Sequence, residues 1–445
     1  MNDMSFSKNN ARHRQSPLKL FLGPVILFMI VFNNVLFKSL SFLSTERLAV
    51  VLLFFAVAVI FSKKVSFNSS NSINRTAIKI VRFQIFLFAY TCVILLVRGR
   101  GTGESLIEVI ANFLIFGGSL YILLTLFFDD ANQLIDSLFI IVFFQCVVIA
   151  LCLFSHDFGS FVDNVFNQNS FFNYPIKRIE GYAAGIACIT STGAMGLSLG
   201  LIACVYKIIH KRNILFYSIM YLVFSFVMTA VARTGLVLSL VGIVVLFISS
   251  IFIKNKSFLK VFFSLLLALG LVACFIYLTG LYSQLPSIFH RLLRIKENGL
   301  YDAFFADYYY HDTTYIPELN WNTIWGIGIV SGVSGDGIRI NADGGFFRAY
   351  AAMGLLLAIM HYLVLLVTAL LSAYYIKDKR KRIVAYLLIV FLIVGEYKEP
   401  FIYSRYMLVI FLVFCFLCVR MNKKYLNSQM DSTILRQNLC GFSRK

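Results

Sequence analysis

"SIMYLVFSFVMTAVARTGLVLSLVGIVVLFISS" occupies residues 218–250, and Arg233 is the only formally charged residue in it. A membrane span takes about 20 apolar residues, so a run this long and apolar predicts helices that lipid solvates. The whole chain agrees, since 59% of its 445 residues are hydrophobic and only 14% are charged. So few charges cannot cover a water-exposed surface. The chain is therefore predicted to be an all-α polytopic integral membrane protein.

Apolar stretches of about span length recur along the entire chain, which predicts a single membrane domain over residues 1–445. The predicted spans are twelve: 18–37, 47–62, 80–97, 105–127, 133–154, 181–206, 214–232, 235–253, 258–279, 349–375, 383–395 and 401–419.

The basic residues predict how these spans are oriented. Most of the 40 Lys and Arg residues fall in segments that alternating spans place on one side, which the positive-inside rule assigns to the cytoplasm. Both termini are then cytoplasmic. The net charge of +19 reflects short basic clusters between spans, a distribution that argues against nucleic-acid binding. Two long loops, 155–180 and 280–348, fall on the outer face, and loops of that length are usually functional.

Several arginines occur at the outer ends of spans, where the charge rule disfavours them. Arg233 falls in the turn between the seventh and eighth spans, and Arg178 precedes the sixth. Arg291 and Arg294 open the long loop, and Arg348 closes it. Guanidinium groups chelate phosphate oxygens in a bidentate manner without a metal. These residues therefore predict a diphosphate-binding site, with neither metal nor cofactor.

Four stretches resemble segments of the O-antigen polymerase and ligase superfamily. "ARTGLVLSLVGIVVLF" (232–247) is similar to its S-R-[TSG]-G-apolar signature, and "KRIEGYAAGI" (177–186) resembles its R-x-x-G segment. "WGIGIVSG" (325–332) resembles its G-x-G stretch, and "NADGGFFRAYAAMGLLLAI" (341–359) resembles its closing segment. The order and spacing of the four around one large outer loop carry the resemblance, which covers about residues 178–359.

The closing segment distinguishes two kinds of enzyme within this superfamily. Ligases usually carry a His about eleven residues before a Gly, and the corresponding residue before Gly354 is Asp343. An Asp at this position resembles the Wzy-type polymerases. Asp also caps helices well, so an N-cap role for Asp343 stays open.

The resemblance implies a GT-C-like enzyme that transfers glycan between undecaprenyl-diphosphate-linked oligosaccharides on the periplasmic face of the bacterial inner membrane. The lipid diphosphate is the leaving group, and a sugar hydroxyl of the acceptor attacks the anomeric carbon. The implied diphosphate ligands are Arg178, Arg233, Arg291, Arg294 and Arg348. The implied catalytic residues are Asp343, Asp336 and Glu318, with Asp343 leading as general base. The aromatic side chains of Tyr309, Trp321 and Trp325 suit stacking on sugars, and they suit the membrane interface equally well.

Other functions and roles remain open from the sequence. The main alternative is an O-antigen ligase that transfers glycan to lipid A core. A flippase of lipid-linked oligosaccharides is disfavoured, because its charged or broken spans should lie near the midplane. The implied partners are membrane lipid and, within one pathway, a chain-length regulator and a flippase. In "GEYKEPFIYSR" (395–405), Glu396 is predicted to belong to an internal Glu–Lys cluster, although Lys398 could also contact the diphosphate.

Overall fold

The computed structural model describes a mostly helical chain. The described residues are 17–32, 72–99, 101–166, 185–186, 188, 190–252, 263, 270, 320–335, 337–340, 344–398, 400, 402–403 and 406–420.

Helices dominate the described part of the chain. The helices of the N-terminal half are α1 (Pro17–Val31), α2 (Ser72–Arg98), α3 (Leu106–Asn112), α4 (Gly118–Phe127), α5 (Ala131–Phe154), α6 (His156–Phe166), α7 (Thr190–Ile209), α8 (Ile214–Val231) and α9 (Arg233–Phe252). A π-helical turn, Phe113–Gly117, joins α3 to α4 into one continuous span. The remaining helices are α10 (Trp321–Trp325), α11 (Gly345–Met353), α12 (Leu355–Tyr374), α13 (Lys379–Lys398) and α14 (Met407–Arg420).

Seven helices of the described residues are long and apolar enough to cross a membrane. They are α2, the α3–α4 span, α5, α7, α8, α9 and α12. The prediction of a mostly helical chain with several helices able to cross a membrane is therefore confirmed. Of the predicted spans, 47–62 lies outside the described residues, and 258–279 is described at two isolated positions only.

The predicted spans 181–206 and 349–375 are not continuous helices. The helix predicted from residue 181 begins at Thr190, and Gly185 and Cys188 instead form an isolated β-bridge. The span predicted over 349–375 is broken at Gly354, which has a φ of +84°. A residue with a positive φ cannot continue a right-handed helix, so α11 ends and α12 begins there.

A small β-sheet departs from the all-α prediction. Its antiparallel strands, in the order β1–β2–β3, are β1 (Thr102–Ser105), β2 (Ile329–Val333) and β3 (Arg339–Ile340). The strands are only two to five residues long, and β1 and β2 each contain a glycine. They therefore lack the alternation of polar and apolar residues that would predict a strand. The sheet connects the short link between α2 and α3 to the chain that precedes α11.

The centre of the helical domain is α7, which packs against α5, α8, α9 and α13. Its glycines permit this close packing: a Cβ atom on Gly200 would lie 2.5 Å from a Val142 methyl and 2.8 Å from the Phe224 ring. The α7 helix is almost completely buried, whereas most other spans expose an apolar face. Because those faces suit lipid, α7 is the core around which the other helices are arranged.

The ends of these helices separate into two polar regions. At one end Lys207 of α7 forms an ion pair with Asp136 of α5. At the same end the Tyr206 hydroxyl donates to Asn132 Oδ1 over 2.8 Å, and Asp130 caps α5 by accepting from the Gln133 amide over 2.8 Å. The sheet lies at the other end, at the opposite termini of these spans.

Candidate functional site

The backbone of the turn between α8 and α9 explains why the Arg-Thr-Gly sequence ends in a glycine. Ala232 is the single extended residue between the helices, and Arg233 is the first residue of α9. A Cβ atom on Gly235 would lie 2.4 Å from the carbonyl oxygen of Met228, so only glycine permits this tight turn. Arg233 is thus at a helix–helix turn, as predicted, while its side chain lies outside the described part of the structure.

The Gly-Ile-Gly segment and the closing segment are in direct backbone contact. The amides of Ile327 and Gly328 donate to the carbonyl oxygens of Ala351 and Ala352, each over 2.9 Å. These are carbonyls at the C-terminal end of α11, which has no intrahelical donors for them. A Cβ atom on Gly354 would lie 2.2 Å from the carbonyl oxygen of Ile324. The spaced glycines of the two segments therefore allow one backbone to lie directly against the other.

A pocket of about 310 Å³ lies beside this junction and is lined by Val330 of β2 and Met353 of α11. Its volume is at the lower end of the range for small-molecule sites, roughly 300–1,000 Å³. The polar side chains that line it are those of Glu104, Asn112, Arg348, Tyr362, Glu396, Tyr403 and Tyr406. Apolar lining comes from both β2 and α11, so two of the segments that carry the family resemblance contribute to one cavity.

Glu396 is fixed in the wall of this pocket. Its side chain is 1% exposed, and its carboxylate accepts hydrogen bonds from the Tyr362 hydroxyl over 2.7 Å and from the Ile402 amide over 2.8 Å. Gly345 makes room for it, because a Cβ atom there would lie 2.4 Å from Glu396 Oε1. A buried carboxylate needs such donors to stay stable. The predicted partner Lys398 has a side chain outside the described part of the structure.

Tyr403, which also lines the pocket, is held by the buried side chains of His361 and Gln84. Its hydroxyl lies 2.9 Å from His361 Nε2 and 3.0 Å from the Gln84 side-chain nitrogen. The Phe113 ring packs edge-on against the Tyr403 ring, with centroids 5.0 Å apart. Gln84 and His361 are fully buried, so these hydrogen bonds hold the tyrosine in one orientation.

Two backbone irregularities occur in the pocket wall. Tyr406 has a φ of +54°, in the left-handed region that a non-glycine residue rarely adopts. The π-helical turn begins at Phe113, which also lines the pocket. Such turns and strained residues concentrate at functional sites, where surrounding structure compensates their cost. Both features are consistent with a binding role for this cavity.

The electrostatics of the pocket centre on Glu104 and Arg348. Glu104 in β1 is accessible to solvent, yet the surrounding protein desolvates its carboxyl enough to raise its pKa. The guanidinium of Arg348 acts in the opposite direction, and the nearby carboxylate of Glu108 raises the pKa further. Glu104 therefore binds a proton more readily than an ordinary surface glutamate does.

Of the residues predicted from the sequence, Arg348 lines this pocket. Trp321 and Trp325 are exposed on α10, and their rings pack edge-to-face with centroids 6.0 Å apart. The Tyr90 hydroxyl donates to the Trp325 carbonyl over 2.7 Å, which fixes α10 to α2. Neither tryptophan is among the pocket-lining residues.

The remaining predictions fall on residues that the structure does not describe. They are Arg178, Arg291, Arg294, Tyr309, Glu318, Asp336 and Asp343. The N-cap residue of α11 is Gly344, one position after Asp343. This corrects the alternative in which Asp343 caps that helix.

Sequence reasoning missed much of the pocket. Glu104 lies in a seven-residue link between two predicted spans, and Tyr403 and Tyr406 fall at the start of a predicted span. Acidic residues are scarce in this chain, which has 21 Asp and Glu among 445 residues. That scarcity is the feature of the sequence that could have marked Glu104 as a site residue. For Glu396 the sequence predicts an internal Glu–Lys cluster, which is a structural role.

No protein-family model, curated protein or solved structure matches this chain.

Proposed function

We propose that this protein polymerises undecaprenyl-diphosphate-linked oligosaccharide repeat units into O-antigen or a related surface polysaccharide. The reaction is glycosyl transfer on the periplasmic face of the bacterial inner membrane. The anomeric carbon of the donor glycan forms a bond to an acceptor hydroxyl, and the lipid diphosphate leaves.

The observation that carries this proposal is the pocket beside the junction of the Gly-Ile-Gly and closing segments. Arg348, a residue of the family-like closing segment, lies in its wall with the carboxylates of Glu104 and Glu396. A polytopic membrane domain suits a substrate with a polyprenyl tail, while a polar pocket at the ends of the helices suits its glycan. In this proposal Arg178, Arg233, Arg291 and Arg294 stabilise the departing diphosphate near that pocket.

Deletion of the gene in its own bacterium tests the proposal. The expected result is loss of the glycan ladder on gels, with one repeat unit still attached to lipid A core. Restoring the gene should restore the ladder. Loss of every repeat unit would instead indicate the ligase, and an unchanged ladder would rule out both activities.

Substitution of Arg233 tests the diphosphate role. We expect Arg233→Ala to lower polymer yield about 100-fold or more, as loss of a transition-state donor does. Arg233→Lys should also fail, because an ammonium group cannot form the bidentate contact. The readout is the glycan ladder at matched protein levels.

Arg212→Ala is the matched control for this substitution. Arg212 is an exposed arginine in the link between α7 and α8, at the opposite end of α8 from Arg233. The glycan ladder of the Arg212→Ala variant should equal that of the wild type. Full activity of both Arg233 variants would exclude Arg233 from diphosphate binding.

A further inference from the structure

We infer that the pocket binds the acceptor sugar rather than the diphosphate, and that Glu104 takes the proton from the attacking hydroxyl. This inference rests on the proposed glycosyl transfer. It assigns a general base different from Asp343, the residue that the sequence resemblance implied.

The charges of the pocket argue against a diphosphate. The lining residues include the carboxylates of Glu104 and Glu396 and one guanidinium, that of Arg348. A diphosphate carries several negative charges, and two carboxylates would repel it. Arg348 interacts with Glu104, so part of its charge is already compensated. A neutral ligand with many hydroxyl groups meets no such repulsion.

The other lining side chains suit a sugar. Carboxylates accept hydrogen bonds from hydroxyl groups, and the Asn112 amide both donates and accepts. The rings of Tyr362, Tyr403 and Tyr406 add aromatic surface against which the apolar face of a pyranose can pack. The hydrogen bonds of Tyr362 and Tyr403 fix their rings in advance, which lowers the entropic cost of binding.

The two glutamates differ in a way that assigns their roles. Glu396 is buried and already accepts two hydrogen bonds, so its carboxylate is suited to positioning. Glu104 is accessible to solvent at the edge of the sheet, and its raised pKa makes it a better proton acceptor.

In the reaction, the acceptor oxygen forms a bond to the donor anomeric carbon, and the bond from that carbon to the phosphate oxygen breaks. The diphosphate leaves with the bonding electron pair, and the hydroxyl proton passes to Glu104.

Purified protein and lipid-linked repeat units extracted from the deletion strain provide the test. We expect Glu104→Gln to lower the polymerisation rate about 100-fold or more, as loss of a general base does. Inhibition by added undecaprenyl diphosphate should stay within twofold of the wild type. Sodium formate should partly restore the rate of Glu104→Ala, because formate replaces the missing carboxylate. A purely structural role for Glu104 would show no such rescue.

Asp157→Asn is the matched control, since Asp157 is an exposed carboxylate of α6 and is not among the lining residues. It should retain most of the rate. An active Glu104→Gln variant, or formate rescue of Asp343→Ala without rescue of Glu104→Ala, would overturn the inference. So would a tenfold tighter inhibition by undecaprenyl diphosphate in Glu104→Gln, because that indicates a diphosphate in the pocket.

A failure of the proposed function gives a different result. Wild-type protein would then not polymerise the lipid-linked repeats at all. Binding of the free repeat oligosaccharide, released by mild acid and followed by saturation-transfer NMR, still tests the pocket. Transfer signals that are lost in Glu396→Gln would support a sugar site, and equal signals in both proteins would refute it.

Discussion

Glu104 and Arg348 come from segments more than 200 residues apart and line the same pocket. Arg348 therefore influences the pKa of the Glu104 carboxyl although it is distant in sequence. Burial raises the pKa of the Glu104 carboxyl, Arg348 opposes that rise and Glu108 adds to it. Strand β2, which pairs with β1, contributes no titratable side chain. The proton affinity of Glu104 is thus set by tertiary contacts.

The pH dependence of polymerisation should follow these charges. If ionised Glu104 is the base, the rate rises with pH through its pKa. Arg348→Gln removes the lowering influence, so the acid limb of the pH–rate profile should move to higher pH, whatever the loss in maximal rate. Glu108→Gln removes a raising influence, so the limb should move to lower pH. Shifts in the same direction for both variants would contradict this account.

At the scale of elements, the break between α11 and α12 shapes the site. An unbroken helix over this region would direct Arg348 and the preceding residues along the axis of α12. Gly354 ends α11 instead, and the segment containing Ile327 and Gly328 supplies donors to its last carbonyls. The helix end, the sheet and the pocket wall therefore depend on one backbone conformation.

Gly354→Ala should accordingly destabilise the protein. An alanine at a φ of +84° is strained, and its Cβ atom would lie 2.2 Å from the Ile324 carbonyl oxygen. We expect a loss of at least about 1–3 kcal/mol and a lower thermal midpoint by fluorescence-detected gel filtration. Gly118→Ala is the control, since a Cβ atom on this helical glycine meets nothing within 4 Å. An equal midpoint for the two variants would argue against strain at Gly354.

At the scale of the whole molecule, the described helices separate their polar connections into two ends. The sheet and α10 lie at one end, and the Lys207–Asp136 ion pair lies at the other. Between them, α7 provides the buried centre and the outer helices expose apolar faces. The charge bias of the sequence predicts that the end with the sheet faces away from the cytoplasm.

Labelling of single cysteines tests that orientation. Trp321 is exposed on α10, and Lys379 is exposed at the start of α13. In spheroplasts, a membrane-impermeant maleimide should modify Trp321→Cys directly and Lys379→Cys only after permeabilisation. Six of the seven described native cysteines are buried, and labelling of the wild-type protein measures the background. The reverse pattern would invert the predicted topology.

The sequence predicts the helical class and the positions of many helices because the signal for a span lies within the span itself. Residues that face lipid must be apolar over a whole span, so composition alone marks most helices. The turn at Arg233 was located correctly because the flanking spans have a fixed length. The sheet was missed because its strands are short and because β1 pairs with β2 over about 230 residues, and such pairing leaves no local pattern.

The sequence by itself thus determined that the chain forms helices long and apolar enough to cross a membrane, where most of its described helices run, and that arginines occur at their ends. The tertiary structure alone decided which side chains share a pocket. Glu104, Arg348, Glu396 and Tyr403 are brought together by a three-stranded sheet, a glycine-broken helix and buried hydrogen bonds. Span length and charge bias act locally along the chain, whereas these contacts join distant segments and depend on how the helices pack.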